Sequence, residues 1–191
     1  MKVNKLMIIS MVILLISLTL ISCSTISSVN NEPSKKFEDE NVGEFTTTDL
    51  NGNTFTEEIF AQNDLTMVNI FTTWCSSCIE EIPHLEQLSK NMDNKNVAVI
   101  GIVLDTVNND GSINDETIAL SQNLASKTGA TYPFLIPDEG NINGRLEEIN
   151  AVPETFFVDS NGNFVGDTYI GSNDLEGWTE IVNKELENIK E

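Results

Sequence analysis

The chain carries one arginine, Arg145, and one histidine, His84, among 191 residues. A single imidazole rules out any zinc site that needs two histidines, and a Ser-His-Asp scheme would rest on His84 alone. Lysine and arginine number 10 against 30 aspartates and glutamates, a formal net charge of -20. Such a surface repels phosphate backbones and anionic lipid headgroups, so nucleic acid is not an expected partner. The 3 cysteines, Cys23, Cys75 and Cys78, cannot close a framework of structural disulfides, and separate roles must be found for them. Long apolar runs are also scarce. The candidate, Leu6 to Ile21, is interrupted by Ser10, Ser17 and Thr19 and is short for a membrane span.

That end of the chain reads as an export signal, with Lys2 and Lys5 ahead of the apolar run. The run closes on Leu20-Ile21-Ser22-Cys23, which resembles the lipobox of bacterial lipoproteins. Residues 1–22 are accordingly expected to be a signal peptide and Cys23 a lipidated N-terminal residue, leaving a mature net charge of -22. Two or more acyl chains hold a protein on a bilayer where one binds only marginally. The alternative is an uncleaved signal anchor with Cys23 a free thiol. Residues 23–43, rich in Ser, Asn, Glu and Lys, are expected to form a solvated tether, and residues 44–191 the folded domain.

Within that domain, Asn51-Gly52 between Phe45–Thr48 and Asn53–Thr56 predicts a hairpin. Met67–Phe71 reads as a buried strand running into Cys75, followed by a helix to about Met92 with Ile79, Ile82, Leu85 and Leu88 on its apolar face. Val97–Leu104 has the near-continuous apolar character of a central parallel strand. Further expectations are a helix over Asp115–Thr128, a strand over Phe134–Ile136 and a short helix around Asn141–Ile149. A strand over Thr155–Val158, a second hairpin at Asn161-Gly162 and a strand near Phe164 come next. The last helix starts near Asp174, with Asn173 and Glu176 as a capping pair and Trp178, Val182 and Leu186 on its apolar stripe. This alternation predicts an α/β fold with a central mixed sheet flanked by helices.

Trp74-Cys75-Ser76-Ser77-Cys78 falls where the strand gives way to the helix. Residues three apart on a helix lie one turn apart, within disulfide reach. Cys75 at the helix N-terminus would be favoured as the thiolate, the species that attacks a disulfide, and Cys78, a turn inside, as the resolving thiol. Ser76 and Ser77 add no positive charge, so moderate rather than extreme thiolate stabilisation is expected. A lone Cys-x-x-Cys with no second pair and no further histidine leaves a zinc site short of ligands.

The strand, the Trp-Cys-x-x-Cys segment, Pro83 in the following helix and Val152-Pro153 before a later strand together resemble the TlpA/ResA-like branch of the thioredoxin superfamily, over residues 44–191. The resemblance implies a thioredoxin-like fold with an inserted strand and helix near residues 105–130. It further implies a cis Pro153 facing the cysteine pair, with substrate docking along Trp74, Val152 and Pro153. Glu81 matches the acid that this branch places near its cysteines and is assigned proton transfer to or from Cys78; the alternative is a solvent-facing carboxylate like Glu80. Asn69 stands where thioredoxin has a buried aspartate, and Glu154 where the family often has a small hydroxyl residue. No diffusible cofactor is expected beyond the redox-active Cys75–Cys78 disulfide, and no metal. The implied protein is a monomeric disulfide reductase on the outer side of the membrane. Its implied partners are protein disulfides such as those of apocytochrome c or a methionine sulfoxide reductase, and a CcdA-type membrane electron donor.

Two other readings stay open. Thr72-Thr73-Trp74-Cys75 fits the Thr-x-x-Cys of peroxiredoxins, with Val68 in place of their proline and Arg145 as the sole candidate for a peroxide-polarising arginine. The other is a non-enzymatic binding lipoprotein that keeps the cysteine pair as a structural disulfide.

Overall fold

Seven consecutive buried residues, Leu65–Phe71, form β3 at the centre of a five-stranded sheet. The structure, a computed structural model, describes residues 41–140 and 142–190; the expected signal peptide, Cys23 and the tether up to residue 40 lie outside the described residues. Strand order is β5-β4-β3-β6-β7, with β4 at Val97–Val103, β5 at Phe134–Leu135, β6 at Glu154–Asp159 and β7 at Phe164–Ile170. β3 runs parallel to β4, pairing Phe71 with Val103, and antiparallel to β6, pairing Ile70 with Glu154. Both faces of β3 are covered, which explains why it is buried throughout and mostly apolar, with Thr66 and Asn69 as its polar members. Met67 and Phe71 belong to one core with Leu85, Trp178 and Val182, while Val68 and Ile70 belong to a second with Phe60, Leu146 and Phe156.

The ends of the helices follow local chemistry. Helix α1, Ser76–Met92, begins at Cys75, whose Sγ accepts from the Cys78 N–H at 3.2 Å. Asn114 caps α2, Asp115–Thr128, by accepting from the Thr117 N–H, and Gly129 at φ +75° closes it in the left-handed region. Helix α3, Leu175–Asn188, is capped by Asp174, which accepts from the Gly177 N–H at 2.9 Å. The expected capping pair of Asn173 and Glu176 is therefore replaced. The Asn173 N–H is instead given to Glu81 Oε2 at 3.3 Å.

The N-terminal hairpin pairs β1, Thr46–Thr48, with β2, Thr54–Thr56. At its turn Asp49 Oδ1 accepts the N–H groups of Asn51 and Asn53. Asp159 Oδ1 does the same for Asn161 and Asn163 between β6 and β7, so the like sequences of the two turns reflect one local solution. Ahead of the hairpin, Val42 is buried and donates its N–H to the Gly162 carbonyl at 2.8 Å.

Two expected elements differ in extent. The short helix around Asn141–Ile149 shrinks to a 3-10 turn, Arg145–Glu148, because Ile142, Asn143 and Gly144 hold φ of +51°, +54° and +81°, outside the right-handed helical region. Residues 105–130 contribute a turn, a bridge between Val107 and Ile113, and α2, while the strand that accompanies them is β5, just beyond residue 130. No helix among the described residues is long and apolar enough to cross a membrane.

Candidate active site

β3 delivers the chain to the site and α1 carries it away. The Cys75 N–H returns to the Thr72 carbonyl at 3.3 Å, and both carboxylate oxygens of Asp105, just past the end of β4, accept the Thr73 N–H at 3.1 Å. Thr73 Oγ1 also donates to Asp105 Oδ2 at 2.6 Å, which ties the loop before the cysteines to the neighbouring strand. Cys75 and Cys78 are joined in a disulfide with an S–S distance of 2.05 Å. Cys78 is 1% exposed, Cys75 7% and the adjacent Trp74 72%, so the outer sulfur sits at the rim and the inner one beneath it.

The polar groups around Cys75 suit a thiolate. Its Sγ receives the Cys78 N–H at 3.2 Å and lies 3.5 Å from Ser77 Oγ, at the positive end of the α1 dipole. On the other side, 3.7 Å away, is the Val152 carbonyl oxygen. Val152 precedes Pro153 through a cis peptide bond, and the Pro153 carbonyl accepts the Gly171 N–H from the end of β7 at 2.9 Å. Trp74, Cys75, Val152 and Pro153 are thus brought to one end of the sheet.

Glu81 lies one turn beyond Cys78 on α1 and is 1% exposed, unlike the exposed Glu80. Its Oε1 accepts from Asn69 Nδ2 at 3.0 Å, and its Oε2 from Trp178 Nε1 at 3.2 Å and the Asn173 N–H at 3.3 Å. Burial pushes the carboxyl up to about 7, against the opposing pull of those donors. A carboxyl titrating near neutrality can both take and give a proton. Asn69 Nδ2 also donates to Thr155 Oγ1 at 3.0 Å, linking Glu81 to the strand that follows Pro153.

Glu154 and Arg145 have roles other than those weighed from the sequence. Glu154 is buried rather than substrate-facing: its Oε1 accepts from Arg145 Nη2 at 2.5 Å. The Arg145 guanidinium stacks 4.6 Å from the centroid of Phe156, in the core on the other face of the sheet from the cysteines. An arginine so buried and paired is not available to polarise a peroxide at Cys75, which weighs against the peroxidase reading. Trp178, expected as packing, is fully buried and also a donor to Glu81, a function its helical spacing does not signal. Among the described residues no group of three or more His, Cys, Asp or Glu side chains is placed to hold a metal ion.

The family model described as the AhpC/TSA family matches residues 39–165. The chain belongs to the AhpC/TSA family. The chain is 27% identical over 138 residues to the thiol:disulfide interchange protein DsbE of Haemophilus influenzae, covering 72% of this chain and 68% of that one. To the thiol-disulfide oxidoreductase ResA of Oceanobacillus iheyensis it is 25% identical over 96 residues, covering 50% of this chain and 44% of that one. Similar folds occur in a thioredoxin-family thiol:disulfide interchange protein from Chlorobium tepidum (TM-score 0.62, 22% identity, 80% of this chain and 99% of that one). StoA from Bacillus subtilis is another (TM-score 0.55, 18% identity, 73% of this chain and 96% of that one). The fold is thioredoxin-like, and the relatives and the Cys75–Cys78 disulfide together are those of a thiol-disulfide oxidoreductase.

Proposed function

We propose that the protein is a lipid-anchored, extracytoplasmic disulfide reductase acting on protein substrates. The observation that carries this reading is a disulfide at a helix N-terminus with the Val152 carbonyl against its outer sulfur and a buried carboxyl, Glu81, on the same helix one turn beyond its inner cysteine.

In the reduced protein the Cys75 thiolate attacks one sulfur of a substrate disulfide. A Cys75–substrate mixed disulfide forms, and the displaced substrate sulfur leaves as a thiolate and takes a proton from water. The substrate chain lies along Val152 and Pro153, with the exposed indole of Trp74 against it. Glu81 then accepts the Cys78 proton, and the Cys78 thiolate attacks Cys75 Sγ and releases the second substrate sulfur as a thiolate, which takes up the proton that Glu81 returns through water. Two electrons pass to the substrate and the Cys75–Cys78 disulfide remains. A thiol carrier in the membrane, of the CcdA type, restores the dithiol. The lipobox-like Leu20–Cys23 supports anchoring through Cys23, and the relatives named as a thiol:disulfide interchange protein and a thiol-disulfide oxidoreductase support disulfide exchange as the reaction; the resemblance to the TlpA/ResA-like branch implies apocytochrome c or an extracytoplasmic methionine sulfoxide reductase as the class of protein served.

Two measurements test this reading. The reduced full chain should reduce a protein disulfide in a single turnover, whereas Cys75→Ser should not; equal rates would contradict the assignment of Cys75. Membrane fractionation of Cys23→Ala should release the chain from the membrane, and unchanged retention would contradict lipidation.

A further inference from the structure

Trp178 is fully buried and exchanges no thiol or disulfide, yet its indole N–H is given to the acid beside the cysteines: Nε1 donates to Glu81 Oε2 at 3.2 Å. Packing alone would be served by phenylalanine, because a buried indole N–H must find an acceptor. The Asn173 N–H reaches the same oxygen at 3.3 Å. The donors to Oε2 therefore come from the start of α3 and the loop before it, while Asn69 of β3 holds Oε1.

The indole is itself held in place. Its ring packs edge-on against Tyr169 of β7 with centroids 6.3 Å apart, and Tyr169 packs edge-on against Phe157 of β6 at 6.0 Å. Tyr169 Oη donates to Glu185 Oε1 at 2.5 Å, and Asn188 Nδ2 donates to Glu185 Oε2 at 2.9 Å. The fully buried Glu185 carboxyl thus ties Tyr169 to α3 two turns beyond Trp178.

The donors to Glu81 are all neutral. On its own helix the titratable neighbours are Cys75, Cys78, Glu80, His84 and Glu86, the last paired with Lys90. Tyr132, before β5, is buried in the core that holds Cys78 and Trp178, with its hydroxyl kept protonated by burial and by Glu81 and Glu86. Glu154 of β6 is paired with Arg145 in the other core, and Lys184 of α3 with Asp167 of β7. Hydrogen-bond donation rather than ion pairing therefore favours the Glu81 carboxylate against the cost of burial.

We propose that Trp178 is a positioning residue for proton transfer at Cys78: its indole N–H fixes the Glu81 carboxyl and favours the ionised form that accepts the Cys78 proton. The proposal rests on reading Glu81 as the proton carrier of the redox pair and assigns the C-terminal helix a part in that step.

One test leaves the sequence of the reporter intact. The chain has 2 tryptophans, so the isotopically labelled, oxidised full chain gives two indole N–H resonances, told apart with Trp74→Phe. The Trp178 resonance should titrate with a midpoint of about 7 and cease to do so in Glu81→Gln. A Trp178 resonance unmoved between about pH 5 and 9 would overturn the proposal. The second test follows closure of the Cys75–Cys78 disulfide by the reduced full chain in single turnover against neutral bis(2-hydroxyethyl) disulfide. Loss of one donor to a buried carboxylate in Trp178→Phe should move the Glu81 limb of the pH-rate profile up by about one unit. Val182→Ala, which opens a cavity in the packing of the same helix and removes no donor, should lower stability and leave the limb in place. A limb unmoved by Trp178→Phe, or moved as far by Val182→Ala, would overturn the proposal while Glu81 kept its role. A limb that survives Glu81→Gln would overturn that role and this proposal with it.

Discussion

Asn69 donates to Glu81 Oε1 at 3.0 Å from the middle of the central strand, so the group that faces the buried carboxyl is a neutral amide. An aspartate at position 69 would place two carboxyl groups within hydrogen-bonding distance in a buried site, where both cannot ionise near neutrality. Asn69→Asp is expected to move the alkaline-directed limb of the pH-rate profile for disulfide reduction upward by one unit or more. An unmoved limb would separate Asn69 from proton transfer.

Glu81 should also be visible in stability. Its carboxyl titrates at about 7 in the folded chain against an ordinary value of 4.5, so between those pH values the folded state binds more protons than the unfolded one. The stabilisation is fully present below about pH 4.5 and is lost as pH rises through 7. The full shift corresponds to about 3 kcal/mol. Glu81→Gln should flatten the fall in stability over that window in denaturant titrations and remove the corresponding limb from the pH-rate profile. A wild-type slope in the variant would contradict the assignment.

The pair beneath Pro153 gives a second test. Arg145→Met leaves Glu154 as a buried charge without its ion-pair partner and should cost about 3 to 5 kcal/mol, whereas Arg145→Met/Glu154→Met should recover most of it. Chemical denaturation of the three chains measures this directly. A double variant no more stable than Arg145→Met would mean that packing rather than charge dominates there.

Gly166 is held open by a carboxylate. At φ +67° an added Cβ would lie 1.6 Å from Glu185 Oε2, on a side chain that is fully buried and accepts from Tyr169 Oη at 2.5 Å and Asn188 Nδ2 at 2.9 Å. Gly166→Ala should therefore destabilise by about 2 to 4 kcal/mol, from strain at positive φ and loss of those bonds. A loss below about 0.5 kcal/mol would mean that Glu185 rearranges freely.

Strongly patterned segments were legible before any coordinates. The apolar runs at β3 and β4, the helical stripe of α3 and both Asn-Gly turns each follow from a single local rule, and Cys75–Cys78 follows from its spacing at a strand-helix junction. Groups defined by distant partners were not. The burial of Glu81 depends on Asn69, Asn173 and Trp178, which lie 12, 92 and 97 residues away in the chain. Asp105 finds Thr73 only because β4 runs parallel beside β3. The ion pair of Arg145 with Glu154 was hidden for a different reason: a glutamate after Pro153 looks surface-facing until its partner's left-handed approach, Ile142–Gly144, is known. Glu81 itself was reached through the family resemblance, and Asn69, polar inside a mostly apolar strand, is the local sequence feature that fits a buried polar partner there.

The central claim is that the Cys75/Cys78 pair delivers electrons to protein disulfides. The direct measurement is an equilibrium titration of the full chain against thiol-disulfide buffers, reading the oxidised fraction of the pair. The account predicts a potential near that of thioredoxin, about -270 mV, because the Cys75 thiolate is favoured by only one N–H, one hydroxyl and a helix terminus in an acidic protein. A potential near about -120 mV would make the pair an oxidant of folding proteins and contradict the account.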